Sequence, residues 1–337
     1  MNGFNVPVAI LNFNRPQMTR RVFEMVKQIK PRKLLLVADG PRPNRPDDVR
    51  LCAEVRSIFN EIDWECEVHK KFSDINLGSF KSNSSGLNWI FDTVEEAIII
   101  EDDCVPSVSF FRYCEELLER YRDNPNVGVI TGYNLGFPAV KNNESYFFSA
   151  YTLNWAWASW RRVWKQVDMD MSWWEPRAGK RMLQALFPKR KEWTYWFKLY
   201  EQIRKGDRRN AWDYQLILSA FKHSQYCIIP SVNMVSNIGF GPEGTNCFDD
   251  SSPMHNQRMF ELQFPLIHPP LVQRSGQVDY AVFKSRFYHY VPFSLHWQIL
   301  SRISLLIKTI SPSLHAGLKV NFGKWRSTVN RKKFNHS

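Results

Sequence analysis

Three consecutive carboxylates, Glu101, Asp102 and Asp103, follow directly on the apolar run Ala97-Ile98-Ile99-Ile100. Four apolar residues ending at a charged triplet read as a buried strand that stops at a sheet edge. In an open α/β sheet, ligands bind at the carboxyl ends of such strands. Carboxylates there are hard oxygen ligands for a divalent cation, and the cation can hold a diphosphate. A solvated acidic turn has the same sequence, so the meaning of the triplet depends on its surroundings. Four other segments carry chemistry-bearing side chains: Leu11-Asn12-Phe13-Asn14-Arg15-Pro16; Val37-Ala38-Asp39-Gly40-Pro41-Arg42; Asn76-Leu77-Gly78 leading to Lys81 and Asn83; and Trp212-Asp213-Tyr214-Gln215.

The elements around these segments predict how they meet. Residues 6–11 and 33–38 are apolar runs of strand length, ending near Asn12 and at Asp39 respectively. Arg15-Pro16 opens a helix with proline in its first turn, and Val22, Met25, Val26 and Ile29 give that helix one apolar face. A helix over about 47–59, a short strand over 65–69 and a helix over 79–91 precede the strand into Glu101. Strand alternating with helix over a hundred residues predicts a mostly parallel sheet with flanking helices. Such a sheet puts all these segments on one edge. Ser107 or Ser109 caps the next helix, Asn124-Pro125 ends it, and residues 127–131 form a further strand. Asp213 opens a later helix, where a plain helix cap is the alternative to a chemical role.

Composition bounds the rest. The chain has 337 residues, 44% hydrophobic and 15% aromatic, enough for a sizeable core. Its formal net charge of +12 suits anionic partners: nucleotide phosphates, nucleic acid or acidic lipid. Six cysteines without CxxC spacing read as reduced thiols. No leader and no apolar stretch of roughly 20 residues is evident, so the expected location is cytoplasmic. Tryptophans crowd the middle: Trp155, Trp157, Trp160, Trp164, Trp173, Trp174, Trp193, Trp196 and Trp212. Most of them fill a core, and one or two at a cleft mouth would make a platform for an acceptor sugar. From Tyr280 to Ser337 there are ten basic residues and no acidic one, with apolar residues at helical spacing. A basic amphipathic stretch of that kind can lie on an anionic membrane surface. The domains expected are thus 1–280, split into a nucleotide half (1–132) and an acceptor half (133–280), and a basic extension (281–337).

The segments together resemble the GT-A fold of nucleotide-sugar glycosyltransferases, in the family 2-like bacterial group. The blocks that carry the resemblance are Phe13 to Pro16, Ala38 to Arg42, Glu101 to Pro106, Trp155 to Arg162, Trp212 to Gln215 and Asn237 to Gly241. They span roughly residues 5–250. The acidic blocks are also similar to those of the N-acetylglucosaminyltransferase that initiates complex N-glycans. The resemblance implies a Rossmann-like fold and a metal-dependent, inverting transfer from a UDP-sugar donor to a glycan or lipid-linked acceptor, as in surface polysaccharide synthesis. It implies Asp103 as ligand of Mn²⁺ or Mg²⁺, and Asp102 at the donor ribose or sugar. It implies Asp39 at the uracil edge, Asn12 and Arg15 lining the nucleotide pocket, Lys81 near the donor phosphates or sugar, and Asp213 as general base. One departure stands out. Where related sequences carry Thr-His after the "GFG" block, Thr245 here is followed by Asn246, leaving His255 or His268 as substitutes or the metal with one protein ligand.

Three rivals remain. A nucleotidyltransferase would open on a Gly-rich loop, which residues 12–16 are not. A nucleic-acid binder would set its basic residues beside exposed aromatics, whereas the acid-free tail is separate from the tryptophan region; no nucleic-acid partner is therefore expected. A catalytically dead scaffold is disfavoured by intact Asp103 and Asp213.

Overall fold

The computed structural model describes residues 3–135, 143–206, 212–240 and 254–287. The chain divides into two compact units, one of residues 1–239 with 254–283, the other of 240–253 with 284–337. The basic extension from residue 288 onward, like Gly241 and the Thr245-Asn246 pair, lies outside the described residues. The acidic triplet and the four other chemistry-bearing segments all belong to the first unit.

In chain order the elements are β1 (Val8–Asn12), α1 (Pro16–Ile29), β2 (Lys33–Ala38), α2 (Pro46–Ile58), β3 (Glu67–Phe72), α3 (Ser79–Thr93), β4 (Glu96–Glu101), β5 (Cys104–Pro106), α4 (Val108–Arg120), β6 (Val127–Thr131), β7 (Tyr146–Ser149), β8 (Trp157–Trp160), α5 (Arg161–Trp164), α6 (Pro176–Leu186), α7 (Arg190–Arg204), α8 (Asp213–Lys222), β9 (Tyr226–Pro230), β10 (Val235–Asn237) and α9 (Gly276–Arg286). Eight strands form one sheet in the order β3-β2-β1-β4-β8-β6-β9-β7. β8 and β7 run antiparallel to their neighbours; the other pairings, including β3-β2-β1-β4, are parallel. This is the expected mixed α/β architecture with a mostly parallel sheet.

The apolar runs become the central strands because both of their faces are covered. Val8, Ala9, Ile10, Leu34, Leu35, Leu36, Ile98, Ile99 and Ile100 have no exposed surface. α1 contributes Val22, Phe23 and Val26, and α4 contributes Phe110, Phe111, Cys114, Leu117 and Leu118. β3 is less legible in sequence. It is a half-exposed edge strand whose bounds follow its pairing with β2, from Lys33↔Glu67 to Ala38↔Phe72, so it starts and ends later than the hydropathy of 65–69 suggests.

α4 corrects a detail of capping. Ser107 occupies the N-cap, yet its side chain makes no capping bond. The orphan N–H groups of Val108 and Ser109 instead donate to the carboxylate of Glu261, at 3.3 and 2.7 Å. The helix also ends at Arg120, before Asn124-Pro125. Of the crowded tryptophans, Trp157, Trp160, Trp164, Trp174, Trp196 and Trp212 are buried, while Trp155, Trp173 and Trp193 are partly exposed.

The topology fixes where a ligand would lie. From β1 the chain proceeds outward to β2 and β3, then returns to place β4 on the other side of β1. The carboxyl ends of β1 and β4 therefore flank the switch point of the sheet, where the loops diverge and leave a crevice. Asn12 ends one strand and Glu101 the other.

Candidate active site at the carboxyl edge of the sheet

Arg15 is the N-cap residue of α1, with Pro16 supplying the first helical position. Its guanidinium reaches across the switch point to the acidic triplet. Nε donates to Asp102 Oδ2 at 3.3 Å, Nη2 pairs with Asp102 Oδ1, and Nη1 donates to Asp103 Oδ2 at 3.0 Å. A planar, always-charged fork suits this geometry better than an ammonium would. Burial pushes the Asp102 carboxyl up, against the downward pull of Arg15. Burial also pushes Glu101 well up, and the charges of Asp103, Asp213 and Asp102 add to it in that order. Trp212, the residue before Asp213, stacks on Trp157 with ring centroids 6.0 Å apart, and Trp157 pairs with Ile99 of β4, so the start of α8 lies against the strand next to β4.

Asp39, the residue expected at the uracil edge, ties down a turn of the protein itself. It is buried just after β2, and both carboxylate oxygens are filled. Oδ1 accepts from the N–H groups of Gly40 and Leu77, each at 2.8 Å. Oδ2 accepts from Asn76 Nδ2 and the Gly78 N–H, each at 3.0 Å. All four acceptor positions of the carboxylate are thus used inside the protein, so in this conformation the side chain pins the β3–α3 turn and has no acceptor position left for a base edge. Gly40 is required for the fit: a Cβ there would meet the backbone of Ile75 at 2.4–2.6 Å. Next to it, Asp48 gathers Arg42 and Asn14, and the Arg42 guanidinium holds its carboxyl down at about 2.

Asn12 is buried, and its amide N–H₂ donates to the carbonyls of Ile10 and Val37, while its Oδ1 has no hydrogen-bond partner among the described residues. Its backbone carbonyl also accepts from the Asp39 N–H, tying the ends of β1 and β2 together. Lys81 stands exposed on the first turn of α3, and its side chain forms no hydrogen bond or ion pair among the described residues. Asn12, Arg15, Asp39, Asp102, Asp103 and Asp213 are therefore set around one edge, and Lys81 is not drawn into the carboxylate cluster.

The donor chemistry of Asp103 fits a hard divalent cation. One oxygen takes Arg15 Nη1; among the described residues the other takes only the weak Cys104 thiol donor at 3.3 Å. Among the described residues no group of three His, Cys, Asp or Glu side chains is arranged to hold a metal. A cation at Asp103 would complete its shell with water and phosphate oxygens, as Mg²⁺ commonly does. His268 does not supply a further ligand. It hydrogen-bonds the Tyr146 hydroxyl at 2.9 Å, beside β7, which lies four strands from β4.

One site residue had no role in the sequence reading. β5 pairs antiparallel with β10, and the Ile238 N–H donates to the Asp103 carbonyl at 2.8 Å. This sets Gly239 directly over the Asp103 carboxylate, where a Cβ would lie 2.1 Å from Oδ2. The signal available in sequence was the Asn237-Ile238-Gly239 stretch, whose partner only the β5–β10 pairing reveals.

No protein-family model matches the sequence, and no curated protein matches it. Solved structures do match, at low identity. HddC from Yersinia pseudotuberculosis is 9% identical over 47% of this chain and 78% of its own, with a TM-score of 0.29. The 4-diphosphocytidyl-2C-methyl-D-erythritol synthase of Anaerococcus prevotii is 10% identical over 48% and 73%, with a TM-score of 0.31. The inositol-1-phosphate CTP transferase of T. maritima is 10% identical over 68% and 86%, with a TM-score of 0.34. At such identities and TM-scores, none of these proteins' activities transfers to this chain.

Proposed function

We propose that this chain is a metal-dependent inverting glycosyltransferase, moving a sugar from a nucleotide sugar, UDP-linked by preference, to a glycan or lipid-linked acceptor. The observation that carries the reading is the convergence of carboxylates at the switch point. Asp102 and Asp103 end one side of the crevice, and Asp213, from a distant helix, follows Trp212, whose ring stacks on Trp157 of the strand next to β4. That arrangement gives both poles of a displacement reaction.

Asp103 is the residue that would hold Mn²⁺ or Mg²⁺, and the cation would supply charge neutralisation for the departing diphosphate. Arg15, fastened to Asp102 and Asp103, orients both carboxylates and adds a fixed positive charge at the same place. Asn12, at the end of β1, borders the nucleotide side of the crevice. The Asp39-anchored turn at Asn76-Leu77-Gly78 shapes its wall, and Lys81 one turn further on can extend toward donor phosphates. Asp213 takes the proton from the acceptor hydroxyl as its oxygen bonds to the anomeric carbon. The bond from that carbon to the diphosphate oxygen breaks, and the nucleoside diphosphate leaves with the electron pair. Attack opposite the leaving group inverts the anomeric centre.

Among the described residues no helix is long and apolar enough to cross a membrane. Contact with an anionic membrane surface is part of the proposal and is supported by the acid-free sequence from Tyr280 onward. The deciding experiment incubates the purified full chain and Mn²⁺ with a panel of nucleotide sugars and follows nucleoside diphosphate release. UDP release from a UDP-sugar is expected. Pyrophosphate release from a nucleoside triphosphate plus a sugar phosphate, with every nucleotide sugar inert, would make the protein a nucleotidyltransferase instead.

A further inference from the structure

Arg15 turns all three of its guanidinium nitrogens to the acidic triplet and divides them unequally. Asp102 takes two, Nε on Oδ2 at 3.3 Å and Nη2 on Oδ1, in a forked pairing. Asp103 takes Nη1 alone, on Oδ2 at 3.0 Å. Burial follows the same division. The Asp102 side chain is 4% exposed, that of Asp103 15% and that of Arg15 17%. The doubly held carboxylate is the enclosed one, and the singly held bond lies nearer solvent. Both acids are also fixed through the backbone. The Asp102 N–H donates to the Leu11 carbonyl at 3.0 Å, and the Asp103 carbonyl accepts from the Ile238 N–H at 2.8 Å. The guanidinium can therefore leave Asp103 while the strand ends stay in place.

This pairing competes with the cation assigned to Asp103. A carboxylate already paired with a guanidinium is a poor ligand for a divalent cation, because like charges a few ångströms apart repel strongly where little water screens them. Asp103 has limited room to turn away: the backbone of Gly239 lies over Oδ2, so close that a Cβ there would come within 2.1 Å. A nucleoside diphosphate changes the balance. Its oxygens carry enough negative charge to accept both the cation and a released guanidinium N–H.

We propose that Arg15 guards Asp103. Nη1 occupies the carboxylate against the cation, and it moves to a phosphate oxygen of the donor when cation and nucleoside diphosphate arrive together. Nε and Nη2 stay anchored on Asp102 throughout, so the positive charge remains at the same place. The inference rests on the reading of Asp103 as metal ligand and of a nucleotide-sugar donor, and it adds how that site is regulated. Cation and diphosphate each raise the affinity of the other by the same factor, and neither binds well alone.

The test measures Mn²⁺ binding to the full chain without nucleotide, from the electron paramagnetic resonance signal of the free ion. Arg15→Gln can still bond Asp102 but carries no charge, and it should bind Mn²⁺ about tenfold or more tightly than the unmutated chain. At saturating Mn²⁺ the same variant should bind UDP about tenfold more weakly and uridine equally well, because the lost partner is a phosphate oxygen. Mn²⁺ binding by Arg15→Gln that is equal to or weaker than that of the unmutated chain would overturn the inference and leave Arg15 a support for the carboxylates. A second measurement does not depend on the folding of that variant. The guanidinium NMR resonances of Arg15, identified by their loss in Arg15→Lys, should shift in the unmutated chain on saturation with Mg²⁺ and UDP; resonances that stay in place would overturn the inference equally. The underlying reading fails separately. Undiminished Mn²⁺ binding by Arg15→Gln combined with Asp103→Ala would put the metal away from Asp103 and remove the guard with it. Absence of saturable UDP binding would remove the donor, while the nucleotide-free Mn²⁺ comparison would still decide whether Arg15 guards Asp103.

Discussion

Replacing Asp39 by asparagine changes one atom of a carboxylate whose oxygens each accept two hydrogen bonds. Whichever way the new amide turns, its N–H₂ faces two donors where an acceptor stood. The less costly choice puts it against the longer pair, Asn76 Nδ2 and the Gly78 N–H, both at 3.0 Å. Asn76 keeps a second acceptor in the Gly40 carbonyl at 2.9 Å, so its loss is partial. The Gly78 N–H loses its acceptor, and the bonds from Gly40 and Leu77 lose charge assistance. A hydrogen bond to a charged group contributes about 1.5–3 kcal/mol, and water can reach the half-exposed turn, so the net loss for Asp39→Asn should be about 2–3 kcal/mol. Urea unfolding of the full chain followed by circular dichroism measures it, and amide exchange at Leu77 and Gly78 should accelerate locally. UDP affinity should fall only in step with the loosened turn. An unchanged unfolding midpoint with a tenfold or greater loss of UDP affinity would refute the reasoning and return Asp39 to the base edge of the nucleotide.

Asp103→Ala should lower transfer by about a hundredfold or more and abolish the metal dependence of UDP binding, measured by calorimetry with and without Mn²⁺. Gly239→Ala, whose methyl would displace the Asp103 carboxylate, should reproduce the loss of metal-dependent UDP binding while costing the fold no more than about 1–3 kcal/mol in urea unfolding. Asp213→Asn should cut kcat by about 10²–10⁴ with little change in donor KM; comparable losses of stability and activity would instead mark a helix cap. Glu192 is buried and accepts from the Tyr151 hydroxyl at 2.8 Å, and burial pushes its carboxyl up to about 7. The folded state therefore holds this proton more tightly than the unfolded chain does, so stability should decline as pH rises from the ordinary carboxylate range to about 7 and level off above it. Glu192→Gln should remove that decline, roughly 1–2 kcal/mol after solvent screening, in chemical unfolding at a series of pH values.

Much of the architecture was already determined by the sequence itself. Runs such as Ala97-Ile98-Ile99-Ile100 read as strands buried on both faces, and Pro16 as the start of a helix. Alternation of the two elements dictates a parallel sheet whose strand ends share one edge. That logic brought Asn12, Arg15, Asp39, Asp102, Asp103 and Asp213 to a common place before any contact was known. What these side chains do to one another was decided by tertiary structure, because hydrogen-bond saturation and charge pairing depend on approach in three dimensions. Arg15 reads equally well as a free pocket cation, and only the β1–β4 adjacency turns it onto Asp102 and Asp103. Asp39 carries the same letter whether or not it ties down a loop; four donors arriving from Gly40, Asn76, Leu77 and Gly78 show that it does. Trp155 and Trp157 are indistinguishable in a one-dimensional pattern, and across the left-handed turn at Ala156 one is buried in the core while the other is partly exposed.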